Sequence, residues 1–331
     1  MTFYLKYRPQ TIEELDIVSV RDSLKSIVKS GEIPHALLFS GPKGTGKTST
    51  ARILSKIINC ESKLTTKPCN KCENCLSITN GSNIDVIEMD AASNRGIDDI
   101  RALRDVVKLS PSKAKAKIYI IDEAHMLTTE ASNALLKTLE EPPSHVYFVL
   151  ATTNPEKLIE TIRSRTVTIN FTKATSEETK RSLMRIIKSE KIKINEEELT
   201  KIAKLSKGSF RDAVKLLEQH TKDDNFLSNQ KTFDTDNFIE LLKTKNALGL
   251  IDEVEKASKN GLGTETITES ILGELQKELI KIVINKEQSG ITKDELIYLI
   301  ELILEAQEFN SVTPIEDLPL QIAIIKWCNF K

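Results

Sequence analysis

Five short apolar runs divide the first half of the chain, at 36–40, 85–89, 117–122, 146–151 and 166–171. They are nearly continuous in Val, Ile, Leu, Phe and Tyr rather than alternating with polar residues. That pattern suits strands covered on both faces, as in a parallel sheet. Helical stretches between them would make right-handed crossovers. From about residue 176 the period changes. Ser176-Glu177-Glu178-Thr179 reads as a helix start before an amphipathic stretch at 182–188, and 196–204 and 209–220 read as two further helices. The next residues, rich in Asn, Asp, Ser and Thr, read as a linker. Beyond it the pattern is helical to the end, broken at Asn260-Gly261, Gly290 and Pro314. The expected layout is a doubly wound α/β domain over 1–171, a small helical domain over 172–222, a linker over 223–237 and a helical domain over 238–331.

Composition narrows the partners more than the fold. The 331 residues are 39% hydrophobic and 29% charged, the balance of a globular protein with a core. No apolar run reaches the roughly 18–20 residues that span a bilayer. The start, Met1-Thr2-Phe3-Tyr4-Leu5-Lys6-Tyr7-Arg8-Pro9, has no secretory apolar region, so a cytoplasmic location without membrane contact is expected. The net charge is −1. A chain so balanced does not coat nucleic acid as a polycation, and any DNA contact must come from a local patch or from several subunits together.

The most specific chemistry follows the first run. Gly41-Pro42-Lys43-Gly44-Thr45-Gly46-Lys47-Thr48 matches GxxxxGK[ST] and lies between an expected strand and an expected helix at 50–58. Glycines let backbone N–H groups turn toward phosphate oxygens, and the helix start adds partial positive charge. Lys47 would reach the β and γ phosphates of ATP, Thr48 would ligate Mg²⁺, and Ser49 would complete the nucleotide-binding turn. Asp122 and Glu123 end the third run, 75 residues after Lys47. Asp122 would hold Mg²⁺ and Glu123 would polarise the attacking water. Asp122-Glu123-Ala124-His125 also spells the box of one helicase group, but the remaining chain lacks a second strand-bearing core. His125 is read as a structural or coupling residue, and His35, His145 and His220 as satisfied or surface histidines.

Four of the five cysteines fall together: Cys60, Cys69, Cys72 and Cys75, separated by eight, two and two residues. Four thiolates at such spacing can surround one tetrahedral Zn²⁺ with no position left for substrate, which makes a structural site. A redox cluster or buried cysteines are the competing readings. Cys328 reads as buried.

Taken together these stretches resemble the gamma/tau subunits of the bacterial DNA polymerase III clamp loader, members of the AAA+ ATPases. The resemblance rests on Lys6-Tyr7-Arg8-Pro9-Gln10-Thr11, the phosphate loop, the cysteine insert and Asp90-Ala91-Ala92-Ser93-Asn94. It continues through Leu135-Leu136-Lys137-Thr138-Leu139-Glu140-Glu141-Pro142-Pro143, Ala151-Thr152-Thr153-Asn154-Pro155 and Gly208-Ser209-Phe210-Arg211-Asp212-Ala213. It spans the first 220 residues; the last third is placed by position alone. The resemblance implies an AAA+ domain carrying a zinc module near 60–75, then a helical lid, then a helical collar that oligomerises. It implies Thr153 as a first sensor of the γ-phosphate, Arg211 as a second sensor on the lid, and Arg165 as an arginine finger acting on a neighbouring subunit. Tyr7, Arg8 and Pro9 would line the adenine pocket.

Two departures stand out. Leu15-Asp16-Ile17-Val18-Ser19 replaces a Val-Gly-Gln-like segment, and Thr166 follows the finger where cysteine is usual. A chain ending at Lys331 is expected to be the short form, without the extension that binds polymerase and helicase. The implied partners are delta- and delta-prime-type subunits in a pentameric ring, the sliding clamp, primed DNA and, indirectly, single-strand binding protein. Helix starts near Ser93-Asn94-Arg95 and Thr128-Thr129 are candidate contacts to the DNA backbone. A subunit that binds ATP without hydrolysing it, and a branch-migration motor, are the rival readings. Intact Lys47, Thr48, Asp122 and Glu123 argue against the first and the cysteine insert against the second.

Overall fold

The computed structural model describes residues 2–62, 66–94, 96–223, 226–229, 233–285, 291–310 and 313–330. They form two compact units, Met1–Leu227 and Ser228–Lys331.

The first unit is built on a five-stranded parallel sheet of β1 (Ala36–Ser40), β2 (Val86–Asp90), β3 (Lys117–Asp122), β4 (Val146–Thr152) and β5 (Val167–Asn170), in the order β2-β3-β4-β1-β5. Side chains alternate across each strand, so the apolar runs feed two cores. Leu37, Phe39, Ile118, Ile120, Val149 and Ala151 pack with Ile53, Leu54 and Ile57 of the helix Lys47–Asn59 on one face. Leu38, Tyr119, Ile121, Phe148 and Leu150 pack with Leu135, Leu139, Ile100 and Leu103 on the other. The central strands are buried almost throughout, which explains their unbroken hydrophobicity. The two edge strands are more exposed. This is the parallel sheet that the apolar runs in the first half of the chain lead one to expect.

Three helices follow, Ser176–Glu190, Glu196–Leu205 and Phe210–His220, closed around Leu183, Ile186, Leu199, Ile202, Val214 and Leu217. The cap of the first is Thr175, one residue before the expected start at Ser176. Thr175 accepts from Glu178 N at 3.2 Å, while Glu178 Oε2 accepts from Thr175 N at 2.9 Å. Leu227 is buried in the same cluster, and a short helix, Phe226–Asn229, lies in the stretch expected to be a linker. The helix Thr235–Lys243 begins there as well, because Asp234 accepts from Asn237 N at 3.1 Å. The polar residues that resemble a linker are in part a helix cap.

The second unit is helical, with Phe238, Leu250, Ile267, Leu299, Leu320 and Trp327 at its centre. The break at Asn260-Gly261 falls between Ala247–Lys259 and Thr264–Ile280, and Pro314 lies between Lys293–Asn310 and Leu318–Cys328. Gly290 lies outside the described residues. Cys328 is half-buried rather than buried, and burial pushes its thiol pKa up. Among the described residues no helix is long and apolar enough to cross a membrane.

Candidate nucleotide-binding and metal sites

Register sets the site. Ser40 of β1 lies opposite Thr152 of β4 and Asn170 of β5, and Asp122 ends β3 opposite Asp90 of β2. The carboxyl ends of β1, β3 and β4 therefore open on one side of the sheet, where parallel α/β folds place their ligands. β1 runs into the loop 41–46, and Lys47 starts the next helix. Gly41, at φ 147°, has no room for a side chain: a Cβ there would lie 2.0 Å from the Phe171 carbonyl oxygen. Gly44, at φ 78°, faces the start of the helix Phe210–His220; a Cβ would lie 2.1 Å from Ser209 Oγ, and Phe210 N donates to Gly44 O at 3.0 Å.

Lys47 Nζ donates to the carbonyl oxygens of Gly41 (2.6 Å) and Pro42 (2.8 Å). Burial lowers its pKa, Glu123 and Asp122 oppose that shift, and Arg211 adds to it. Thr48 Oγ1 donates to Asp122 Oδ2 at 2.8 Å, joining the two candidate Mg²⁺ ligands. Glu123 occupies the left-handed region at φ 48°, with its N–H on Asp122 Oδ1 at 3.0 Å. This sharp turn at the end of β3 sets the two carboxylates apart. Thr153 Oγ1 donates to Glu123 Oε2 at 3.0 Å, and His125 Nδ1 lies 3.4 Å from the same oxygen and 3.0 Å from Thr152 Oγ1. His125 thus bridges Glu123 and the end of β4. His35 Nδ1 donates to Val146 O at 2.6 Å and His145 Nε2 to Leu109 O at 3.1 Å, while His220 is buried with Nε2 3.7 Å from Glu198 Oε2.

A cleft of about 1030 Å³, open mouth included, runs from this point toward the helix Phe210–His220. Tyr7, Arg8, Pro9, Lys43, Gly44, Thr45, Gly46, Lys47, Thr48, Ser49, Asp122, Glu123 and Arg211 line it. Gly41 and Pro42 are outside this lining and meet the site through their carbonyls, which accept from Lys47 Nζ. Lys47, Arg8 and Arg211 all line the cleft, so three cations face the space where a polyphosphate would lie. Thr153 stands behind Glu123, outside the lining. Arg165 is elsewhere: its guanidinium pairs with Glu140 and donates to Thr161 O at 2.9 Å.

Sequence reasoning missed a clasp beside the cleft. Asp16, in the segment that departs from the family pattern, lines the cleft, and its side chain is only 4% exposed. Arg185 of the helix Ser176–Glu190 grips it with two nitrogens, at 2.9 and 2.5 Å, and Arg181 lies at 3.6 Å. Tyr7 Oη donates to Glu190 Oε1 at 2.6 Å, tying the N-terminal segment to the same helix. An acidic residue inside the apolar run Leu15-Asp16-Ile17-Val18 was the available signal; its partner, 169 residues away, was not visible. Asp16→Ala is expected to cost about 1.5–3 kcal/mol, the worth of hydrogen bonds between charged groups. It is also expected to weaken ATP binding several-fold. Urea melts and titration with a fluorescent ATP analogue check both; unchanged binding would leave the clasp with a structural role alone.

The cysteine cluster meets the requirements of a metal. Cys60 caps the helix Lys47–Asn59, and Cys72 Sγ caps the helix Glu73–Asn80, accepting from Cys75 N at 3.4 Å. That helix is absent from the sequence reading, because cysteine spacing rather than periodicity dominates there. The four sulfurs lie within 4.8 Å of one another, and Cys69 Sγ is 4.0 Å from Cys75 Sγ. Tetrahedral zinc with bonds of about 2.3 Å separates its sulfurs by roughly 3.8 Å. Backbone N–H groups point at the sulfurs: Cys69 N at Cys60 (3.2 Å), and Lys71 N (3.5 Å) and Cys72 N (3.3 Å) at Cys69. Those last two hold the Cys69 thiol down at about 6, while burial pushes Cys75 up. All four are free thiols in the fold, and the set suits zinc better than a disulfide pair.

Of the candidate DNA contacts, Thr128 caps the helix Thr129–Glu140, accepting from Ala131 N at 3.2 Å. Ser93 and Asn94 lie in a turn before the helix Ile97–Val107, and Arg95 lies outside the described residues.

Comparison with known proteins agrees with this architecture. Residues 18–175 match the family model described as DNA polymerase III, delta subunit. The chain is 48% identical to the DNA polymerase III subunit tau of Bacillus subtilis over 219 residues, 65% of this chain and 38% of that one. It is 39% identical to the subunit tau of Escherichia coli over 285 residues, 82% of this chain and 44% of that one. The chain thus spans about two fifths of the length of these curated relatives. Among solved structures, the Thermotoga maritima RuvB Holliday junction branch migration motor is similar at 18% identity and a TM-score of 0.49, over 96% of this chain and 91% of that one. That likeness is too distant to bear on function. Identity of 39% over 82% of this chain shows the family: the chain belongs to the gamma/tau subunits of bacterial DNA polymerase III, and it carries its phosphate loop on a five-stranded parallel sheet.

Proposed function

We propose that this chain binds ATP with Mg²⁺ in the cleft and hydrolyses it as a motor subunit of a DNA polymerase III clamp loader. The observation that carries this reading is the convergence of Lys47, Thr48, Asp122 and Glu123 at the ends of β1 and β3. In a subunit that only binds ATP nothing would require that set to be complete.

The residues divide the work by chemistry. Loop N–H groups and the helix start receive the phosphates. Lys47 exchanges two neutral carbonyls for charged phosphate oxygens, a stronger interaction. Thr48 and Asp122, joined by their hydrogen bond, would hold Mg²⁺, which would supply charge neutralisation to the phosphates. Glu123 accepts the proton of the attacking water. Its carboxylate is engaged by Thr153 and flanked by His125. A γ-phosphate that competes for the Thr153 hydroxyl would free Glu123 for water, so the sensor and the base act as one switch. Arg211 and Arg8 place positive charge on the lid and N-terminal sides of the cleft. Tyr7 and Pro9 line the base end.

In the proposed ring, Arg165 completes a neighbour's site, and the second unit serves as the collar that joins delta- and delta-prime-type subunits. ATP binding closes the ring on a sliding clamp; primed DNA triggers hydrolysis and release. The helix start at Thr129 is a candidate contact to DNA phosphate, and zinc is the proposed ion of the cysteine site. The working location is the cytoplasm. Steady-state ATP hydrolysis tests the reading, measured with the chain alone and then with partner subunits, clamp and primed DNA. Strong stimulation by clamp and DNA is expected. Hydrolysis indifferent to both would move the chain to another AAA+ task, and no hydrolysis in any assembly would favour the structural-subunit reading.

A further inference from the structure

One buried cation has no part in the nucleotide chemistry. Lys56, on the helix Lys47–Asn59, is 1% exposed. Its Nζ donates to Gln10 Oε1 (2.6 Å), Asn70 Oδ1 (2.7 Å) and Thr79 Oγ1 (3.5 Å). All three acceptors are neutral. Among the described residues no carboxylate lies within ion-pair distance of it, although a buried ammonium demands a countercharge. The ionisable groups that act on it electrostatically are Cys75, Glu14, Cys60 and Cys69, three of them members of the sulfur cluster. Zn²⁺ bound by four thiolates carries two net negative charges, and a buried lysine beside it is the complementary group.

The partners of Lys56 also come from three different segments. Asn70 sits between Cys69 and Cys72, in the left-handed region at φ 56°. Thr79 belongs to the helix Glu73–Asn80 and donates to Cys75 O at 2.9 Å and to Gln10 Oε1 at 3.1 Å. Gln10 follows Pro9, and its Nε2 donates to Arg8 O at 2.9 Å. Arg8 and Pro9 line the cleft. Lys56 itself lies on the helix that the phosphate loop begins. One ammonium thus fastens the cysteine module to the phosphate-loop helix and to the cleft wall.

We propose that Lys56 is the outer-shell cation of the four-cysteine site and couples metal occupancy to the nucleotide cleft. This rests on the zinc and ATP readings above. With metal bound, the anionic cluster holds Lys56, and Lys56 holds Gln10 and with it the Arg8-Pro9 wall. With metal lost, the countercharge and the loop carrying Asn70 both loosen, and the wall loses its anchor. Lys56 is a positioning residue in this scheme, touching neither metal nor nucleotide.

The experiment compares the full chain with Lys56→Gln and Asn70→Gly. The first removes the charge; the second removes one acceptor and suits the positive φ. Zinc content, the rate of zinc transfer to a chromogenic chelator, and dissociation of a fluorescent ATP analogue are measured for each. Lys56→Gln is expected to speed zinc transfer about 10–100-fold, the usual effect of removing a partner behind a metal ligand. Its analogue dissociation should match that of the zinc-stripped wild type, with no further change when its own zinc is stripped. Asn70→Gly should shift both rates in the same direction, to a smaller degree, and decides the matter if Lys56→Gln does not fold. Wild-type zinc transfer rates in both variants would overturn the proposal, and so would effects of Lys56→Gln and zinc stripping on nucleotide that simply add. A wild-type chain without zinc, or one that binds no ATP analogue, would instead sink the site reading and the coupling with it.

Discussion

A chain carrying Glu123→Gln should bind ATP about as tightly as the wild type and hydrolyse it about 10²–10⁴ times more slowly, the span attributed to a positioned general base. The substitution keeps size and leaves an amide oxygen that can still accept from Thr153 Oγ1, now 3.0 Å from Glu123 Oε2. It removes only the carboxylate's capacity to take a proton. Asp122 keeps its bond from Thr48, so the phosphate and Mg²⁺ side of the site is undisturbed. Single-turnover hydrolysis in the assembled, DNA-stimulated complex, with filter binding beside it, separates the two effects. A loss under tenfold would mean that the base lies elsewhere, and His125, 3.4 Å from Glu123 Oε2, would be the next residue to replace. Thr153→Ala is informative in the same assay. If Thr153 restrains Glu123, its loss should raise the rate seen without DNA while lowering the stimulated rate.

These expectations draw on sequence and structure unequally. The sheet was legible because strands covered on both faces must be apolar at nearly every position, and the central runs at 36–40, 117–122 and 146–151 are. The phosphate loop was legible because two of its glycines answer local demands: Gly41 and Gly44 stand at φ 147° and 78°, and a Cβ on either would lie within 2.1 Å of a carbonyl or hydroxyl oxygen. Cysteine spacing announced the sulfur cluster for a similar reason, since three of its four thiols lie within seven residues of one another. What stayed hidden depends on partners far apart in the chain. Asp16 meets Arg185, Tyr7 meets Glu190, and Lys56 gathers Gln10, Asn70 and Thr79. None of these pairings has a period or a motif. The linker was misjudged in part for the opposite reason: Asp234 carries the local signal of a loop and of a helix cap alike, and only the N–H of Asn237 distinguishes them.

Arg165→Ala should leave ATP binding by the chain itself intact and reduce hydrolysis in the assembled ring about 10³-fold, the lower end of the range for arginine fingers. The geometry supports an action on a neighbour. Arg165 does not line the cleft of its own chain, whereas Lys47, Asp122 and Arg211 do. Its guanidinium is held out by Glu140 and the Thr161 carbonyl, with both charged side chains partly exposed. Exposed pairs of this kind are worth about 0–1 kcal/mol, so a triphosphate presented by another subunit can take the arginine from Glu140 at little cost. Mixing gives the sharper test. Neither Glu123→Gln nor Arg165→Ala chains should hydrolyse ATP at a useful rate alone. In mixed rings, a Glu123→Gln subunit can lend its intact Arg165 to an Arg165→Ala neighbour that still has Glu123, and one working site is rebuilt. Activity that returns on mixing, in proportion to the number of such junctions, places the two residues on different subunits. Mixed rings as silent as either parent would mean that Arg165 serves its own chain or none, and the loss in Arg165→Ala would then report assembly rather than chemistry.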